Sequence, residues 1–179
     1  KKIPNKKYFV EIGFDLYEFN SLNLIKKGWD GKLFEQNIDE CLALNSLLSH
    51  FYPQNKVDVV NQSINLKNTS VLFENIPSEK DIDFFSIDID GNDYWIIKKL
   101  DLSRVNVICC EYNHFLDKNE KKTVPYSENF NFQDDSFYGA SLLALHDLLE
   151  KKGFNLIAVD SSGVNAFFVK KKYAHLFEV

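Results

Sequence analysis

Methionine is missing from this chain altogether, even from position 1, and cysteine, proline and glycine are scarce, with three, four and seven residues in 179. The missing methionine leaves open that the chain is part of something longer. So few cysteines build no disulfide framework: Cys109 and Cys110 adjoin in an apolar run and Cys41 sits in a helical pattern, so all three are expected to be buried structural thiols. No G-x-G-x-x-G occurs, so a pyrophosphate-binding loop is not supported. No apolar run approaches the roughly 18 residues of a membrane-spanning helix, and the lysine-rich start lacks the apolar stretch of a signal peptide, which together suggest a cytoplasmic chain. Lys and Arg number 21 against 26 Asp and Glu, and the net charge of -5 argues against nonspecific nucleic-acid binding. What is present is a core: 45% of residues are hydrophobic, including 16 Phe and 8 Tyr. The length suits one domain, 1–179, able to bury about 70% of its unfolded surface.

The chain is organised around residues 83–95, DFFSIDIDGNDYW. Phe84 to Ile87, with Ile89, form an apolar strand that ends in two carboxylates, Asp88 and Asp90, before Gly91. Asn92 then stands where a helix cap belongs, Asp93 lies in a first turn where the macrodipole favours negative charge, and Tyr94, Ile96, Ile97 and Leu100 give the apolar face. Open α/β sheets bind ligands beyond the carboxyl ends of their strands, so a strand ending in acid marks a site. The plainer reading makes these aspartates caps and solubilising groups.

The same unit recurs along the chain. Tyr8 to Gly13 is a short strand ending in Glu11 and Gly13, followed by leucines at helical spacing over Asn20 to Lys27. Gly31 to Phe34 is a second strand closing on Glu35, about twenty residues beyond Gly13, where nucleotide-binding α/β folds place a carboxylate on ribose hydroxyls. Ile38 to Phe51 is a helix stopped by Pro53, and Val57 to Ile64 is a third strand. A short helix over Val71 to Ile76 is the most that residues 66 to 80 support. Arg104 to Glu111 is a strand that again stops on an acid, with Tyr112, Asn113 and His114 after it. Residues 115 to 137 are polar and aperiodic and are expected to form a substrate-facing flap. Gly139 to Lys152 is an amphipathic helix, and Phe154 to Asp160 and Val164 to Lys170 form a closing hairpin.

Alternating strands and helices followed by a hairpin predict a doubly wound, mostly parallel α/β sheet with one antiparallel strand inserted late. The first and fourth strands then lie side by side, which gathers Glu11, Gly13, Asp15, Glu35, Asp88 and Asp90 at the crevice. This arrangement, with the segments YFVEIG, LFEQN, SIDIDGNDYW, ICCEYN, GASLLAL and GVNAFFV, resembles the FkbM-like branch of the class I S-adenosylmethionine-dependent methyltransferases. The resemblance implies a Rossmann-like, seven-stranded fold. It also implies that Glu11, Gly13 and Asp15 line the methionine end of the cofactor, with Asn20 nearby, that Glu35 holds its ribose, and that Asp88 to Asn92 border the methyl. Leu16 and Tyr17 stand where such enzymes often carry a second glycine. A hydroxyl on a sugar, glycan or small metabolite is the implied acceptor.

Methyl transfer requires in-line positioning, worth about 7 to 11 kcal/mol, and an oxygen acceptor must also lose a proton to a base or have it acidified by a metal. Asp88, Asp90, Glu111 and His114 are the catalytic candidates. Asp88, Asp90 and Glu111 also form an oxygen-rich set suited to magnesium or manganese. A metal-free base is the preferred reading, since groups placed only by strand ends need not converge. Asn113, Tyr126, Tyr138 and Ser141 are the candidates for substrate contact. Two other readings compete. DIDGN resembles the Asp-x-Asp-Gly-Thr loop of haloacid-dehalogenase-like phosphatases, and a degenerate methyltransferase fold would be a binding module without turnover.

Overall fold

The computed structural model describes residues 3, 6–17, 19–76, 81–133 and 135–177. Its strands are β1 (Tyr8–Ile12), β2 (Asp30–Glu35), β3 (Val57–Asn61), β4 (Ile82–Ile87), β5 (Val105–Glu111), β6 (Phe154–Val159) and β7 (Asn165–Lys170). The helices α1 (Leu22–Lys26), α2 (Ile38–Phe51), α3 (Asp93–Lys99) and α4 (Leu142–Lys151) connect them, with short 3-10 turns at Thr69–Phe73 and Lys171–Leu176. The strand order is β3-β2-β1-β4-β5-β7-β6, and β7 alone in this sheet runs antiparallel to its neighbours. β1 and β4 are neighbours as expected, so the chain reverses its direction of winding between them.

Two-residue periodicity sorts β1 onto both faces of the sheet. Phe9 packs with Ile25, Leu33, Cys41, Leu44 and Leu48 beneath α1 and α2. Val10 and Ile12 face the larger core of Phe34, Leu72, Phe85, Ile87, Ile96, Ala144, Leu145 and Leu149. The Phe9 ring lies against Gly31, its partner across β1 and β2, so closely that a Cβ there would stand 2.5 Å from a ring carbon. That glycine sets the packing between the strands. All three cysteines are free and buried.

Several boundaries differ from the sequence reading, for identifiable reasons. The first helix starts at Leu22, and the N–H groups of Asn20 and Ser21 just ahead of it go to the Glu11 carboxylate. The third strand stops at Asn61, whose amide turns to the carbonyls of Glu35 and Gln36. The short helix falls at Thr69–Phe73 and is a 3-10 turn. Ser141 caps α4 by accepting the Ala144 N–H, which places the helix start inside the expected span. Asn92 holds the cap position of α3, but its side chain makes no capping bond. Its amide instead donates to the Ser127 carbonyl at 2.7 Å.

Candidate active site

A cavity of about 590 Å³ opens at the carboxyl ends of β1, β2, β4 and β5. The antiparallel course of β7 brings its first residue, Asn165, to the same end. Among the described residues, the wall carries Glu11, Asp15, Glu35, Glu40, Asp88, Asp90, Glu111 and Glu128 and no lysine, arginine or histidine. Phe14, Phe19, Phe34 and Phe130 supply apolar surface. An anionic cleft with aromatic walls suits a flat, cationic ligand.

Gly13 sits at φ 77°, and a Cβ there would fall 1.6 Å from the Asp88 carbonyl oxygen. The loop leaving β1 therefore passes flush against the end of β4, which only glycine allows. Glu11 is almost wholly buried and accepts the N–H groups of Asn20 at 2.7 Å and Ser21 at 3.0 Å, so it braces this loop from below. Burial pushes its carboxyl up to about 7, against the lowering effect of these hydrogen bonds. The Asn20 side chain donates to the Ser86 hydroxyl. Asp15 accepts the Tyr17 N–H at the rim. Leu16 packs partly buried against the smaller core, and Tyr17 is exposed. Glu35 ends β2, receives the Asn37 N–H at 2.7 Å and lies 3.5 Å from the Phe14 N–H.

The far end of the cavity holds the acidic group. Carboxylate oxygens of Asp88, Asp90 and Glu111 lie within 4.8 Å of one another, so the convergence that strand ends alone did not guarantee is present. Asp93 shapes this corner, as its two oxygens accept the N–H groups of Ile89 and Gly91, each at 3.0 Å. The turn this closes holds Asp90 at φ 57°, a left-handed conformation that aspartate tolerates better than most residues. Burial lifts the Asp93 carboxyl to about 6. Asp88 and Glu111 both sit well above the usual carboxylate range, first because they are desolvated and then because acidic neighbours surround them. The hydrogen bond between them favours the charge on Asp88 and the proton on Glu111.

The remaining candidates do not line the cavity. His114 is exposed, with its ring against Phe115 and its Nδ1 3.3 Å from the Tyr138 hydroxyl. Asn113 is buried, and its amide donates to the carbonyls of Ser136 and Tyr138, which ties down the end of the long connection. Ser141 is fully buried, its hydroxyl bonded to Glu120 and to the Lys122 and Ala144 N–H groups. Tyr126 receives the Leu66 N–H at 3.4 Å. These groups hold the flap, and from it Glu128 and Phe130 reach the cavity. Sequence reasoning missed those two, the β7 residue Asn165 and the row Gln62 to Asn65 past β3. Only the last had a signal, since it follows a strand that ends at the same edge of the sheet.

Over residues 8–156 the chain matches the methyltransferase FkbM domain. Among curated proteins none matches it in sequence. Many solved structures share its fold, among them the following two. A S-adenosylmethionine-dependent methyltransferase from Clostridium acetobutylicum ATCC 824 is 12% identical with a TM-score of 0.50, over 91% of this chain and 83% of that one. The magnesium protoporphyrin IX methyltransferase from Synechocystis PCC 6803 with bound SAH is 10% identical with a TM-score of 0.55, over 92% and 76%. The phosphatase reading of DIDGN falls with the family match, and the loop's place after β4 explains the false likeness, because the Asp-x-Asp loop of those enzymes follows the first strand. Sharing its fold with these S-adenosylmethionine-dependent enzymes, the chain belongs to the FkbM methyltransferase family.

Proposed function

We propose that this protein transfers the methyl group of S-adenosylmethionine to a hydroxyl of a sugar, glycan or small metabolite. The observation that carries this reading is the convergence of Asp88, Asp90 and Glu111 on one wall of the cavity whose other walls hold Gly13 and Glu35. Glu35 accepts the ribose hydroxyls, while Gly13, Asp15 and Asn20, braced by Glu11, take the methionine end. Asp88 and Asn92 border the methyl. A lone pair of the acceptor oxygen attacks the methyl carbon, the carbon–sulfur bond breaks with its electrons staying on sulfur, and the hydroxyl proton leaves to the acidic group. The cleft's negative charge favours the sulfonium cofactor and holds its reactive end against the trio.

Incubation with methyl-labelled S-adenosylmethionine and a panel of sugars and glycosides tests the reading. Label is expected on oxygen of at least one acceptor, with Glu111→Gln slowed by about a hundredfold or more and cofactor affinity within a few fold of wild type. Methyl transfer to nitrogen or carbon acceptors alone, or an unimpaired Glu111→Gln, would contradict it.

A further inference from the structure

We propose that Asp88, Asp90, Glu111 and Asn165 form a binding site for one divalent cation, magnesium or manganese, at the end of the cavity. Three ligand oxygens within 4.8 Å of one another are close enough to converge on one cation with small side-chain adjustments, since magnesium–oxygen bonds of about 2.0 to 2.1 Å set opposite donors about 4.2 Å apart. Asn165 reaches the same cavity from a different strand. It faces Glu111 across the β5–β7 ladder, so both side chains leave the same face of the sheet, and both line the cavity. Its amide nitrogen is fixed by the Asp160 carboxylate at 3.2 Å, whereas its oxygen is buried without a hydrogen-bond partner. Only 9% of Asn165 is exposed. One oxygen of Glu111, Oε2, is buried in the same condition. An unsatisfied buried carbonyl oxygen on one strand and an unsatisfied carboxylate oxygen on its ladder partner call for a donor or a cation, and no basic side chain among the described residues of the wall supplies one.

The chemistry of the set narrows the ion. Every donor is oxygen, three are carboxylates, and no thiol or imidazole joins them, a combination suited to magnesium or manganese over zinc or copper. Asp93 is excluded as a ligand, since both its oxygens are held by the turn it closes, and its part is to position Asp88 and Asp90. That the ion would polarise an acceptor oxygen rests on the methyl transfer proposed above; the ion's binding does not.

The test is a titration of chelator-stripped protein with manganese, followed by the loss of the free-ion electron paramagnetic resonance signal, alongside calorimetry with S-adenosylmethionine on the same sample. One saturable site per chain is expected, with a dissociation constant below about 1 mM, and magnesium should compete for it. Asp90→Asn, on the more exposed ligand, should weaken binding about tenfold or more, and Asn165→Ala by several fold. Asn165→Asp should retain it, which separates lost ligation from a damaged fold. No saturable binding, or affinity unchanged in both Asp90→Asn and Asn165→Ala, would overturn the site. Cofactor binding without manganese binding would sink the ion and spare the methyl transfer, and the reverse pattern would sink the methyl transfer alone.

Discussion

Glu11 carries an electrostatic cost that pH should reveal. Its carboxyl ionises near the ordinary value of 4.5 in the unfolded chain but at about 7 in the folded one, where burial outweighs two accepted hydrogen bonds. Between those values the folded state holds a proton that the unfolded state has lost, so stability must fall as pH rises through this window. The contribution is on the order of 2 to 3 kcal/mol. Asp93, lifted to about 6, adds in the same direction. Denaturant unfolding of wild type and Glu11→Gln at pH 5 and pH 8 checks this. The wild type should lose more stability over the interval than the variant, although Gln starts lower because its amide opposes one loop N–H. Parallel losses would show that Glu11 does not titrate as described. Nothing in YFVEIG announced this role. The segment marks an acid at a strand end, but whether such an acid meets a ligand or braces its own loop depends on contacts with Asn20 and Ser21 that appear only when the chain folds back.

The elements that carry their own signals were legible. Alternation, helical spacing, Pro53 and the acid-terminated strands located the strands and helices and led to the pairing of β1 with β4. The flap was legible only as an absence of pattern. It is organised by bonds between distant residues: Trp95 Nε1 donates to the Val124 carbonyl at 2.8 Å, Asn92 grips Ser127, and Lys67 pairs with Glu128 at 2.7 Å. Composition encodes none of these. Its inner contact is Phe130 against Gly91, where a Cβ would approach a ring carbon to 2.3 Å. Gly91→Ala should therefore displace the ring, release residues 125–131 and quicken their amide exchange by about tenfold or more, while the sheet amides keep their protection. Unchanged exchange over 125–131 would mean that Phe130 does not anchor the flap. In the wild type, cofactor with an accepted substrate should slow exchange there, as expected of a cover that orders over the site.

At the scale of the whole molecule, topology assembles the site. The switch of winding between β1 and β4 gathers Gly13, Glu35 and Asp88, and the late insertion of β7 beside β5 adds Asn165 opposite Glu111. The first was foreseeable because handed crossovers leave few arrangements. The second was not, since it needs both the strand order and the register of an antiparallel pair, and GVNAFFV specifies neither. No helix among the described residues is long and apolar enough to cross a membrane. Methyl transfer requires that S-adenosylmethionine occupy this crevice. A calorimetric titration with S-adenosylmethionine and its demethylated product, on wild type and Glu35→Ala, measures that most directly. One site per chain is expected for both ligands, weakened in Glu35→Ala by about 1.5 to 3 kcal/mol as the ribose loses a charged acceptor. Folded protein that takes up neither ligand at millimolar concentration, or binds both unchanged without the Glu35 carboxylate, would contradict it.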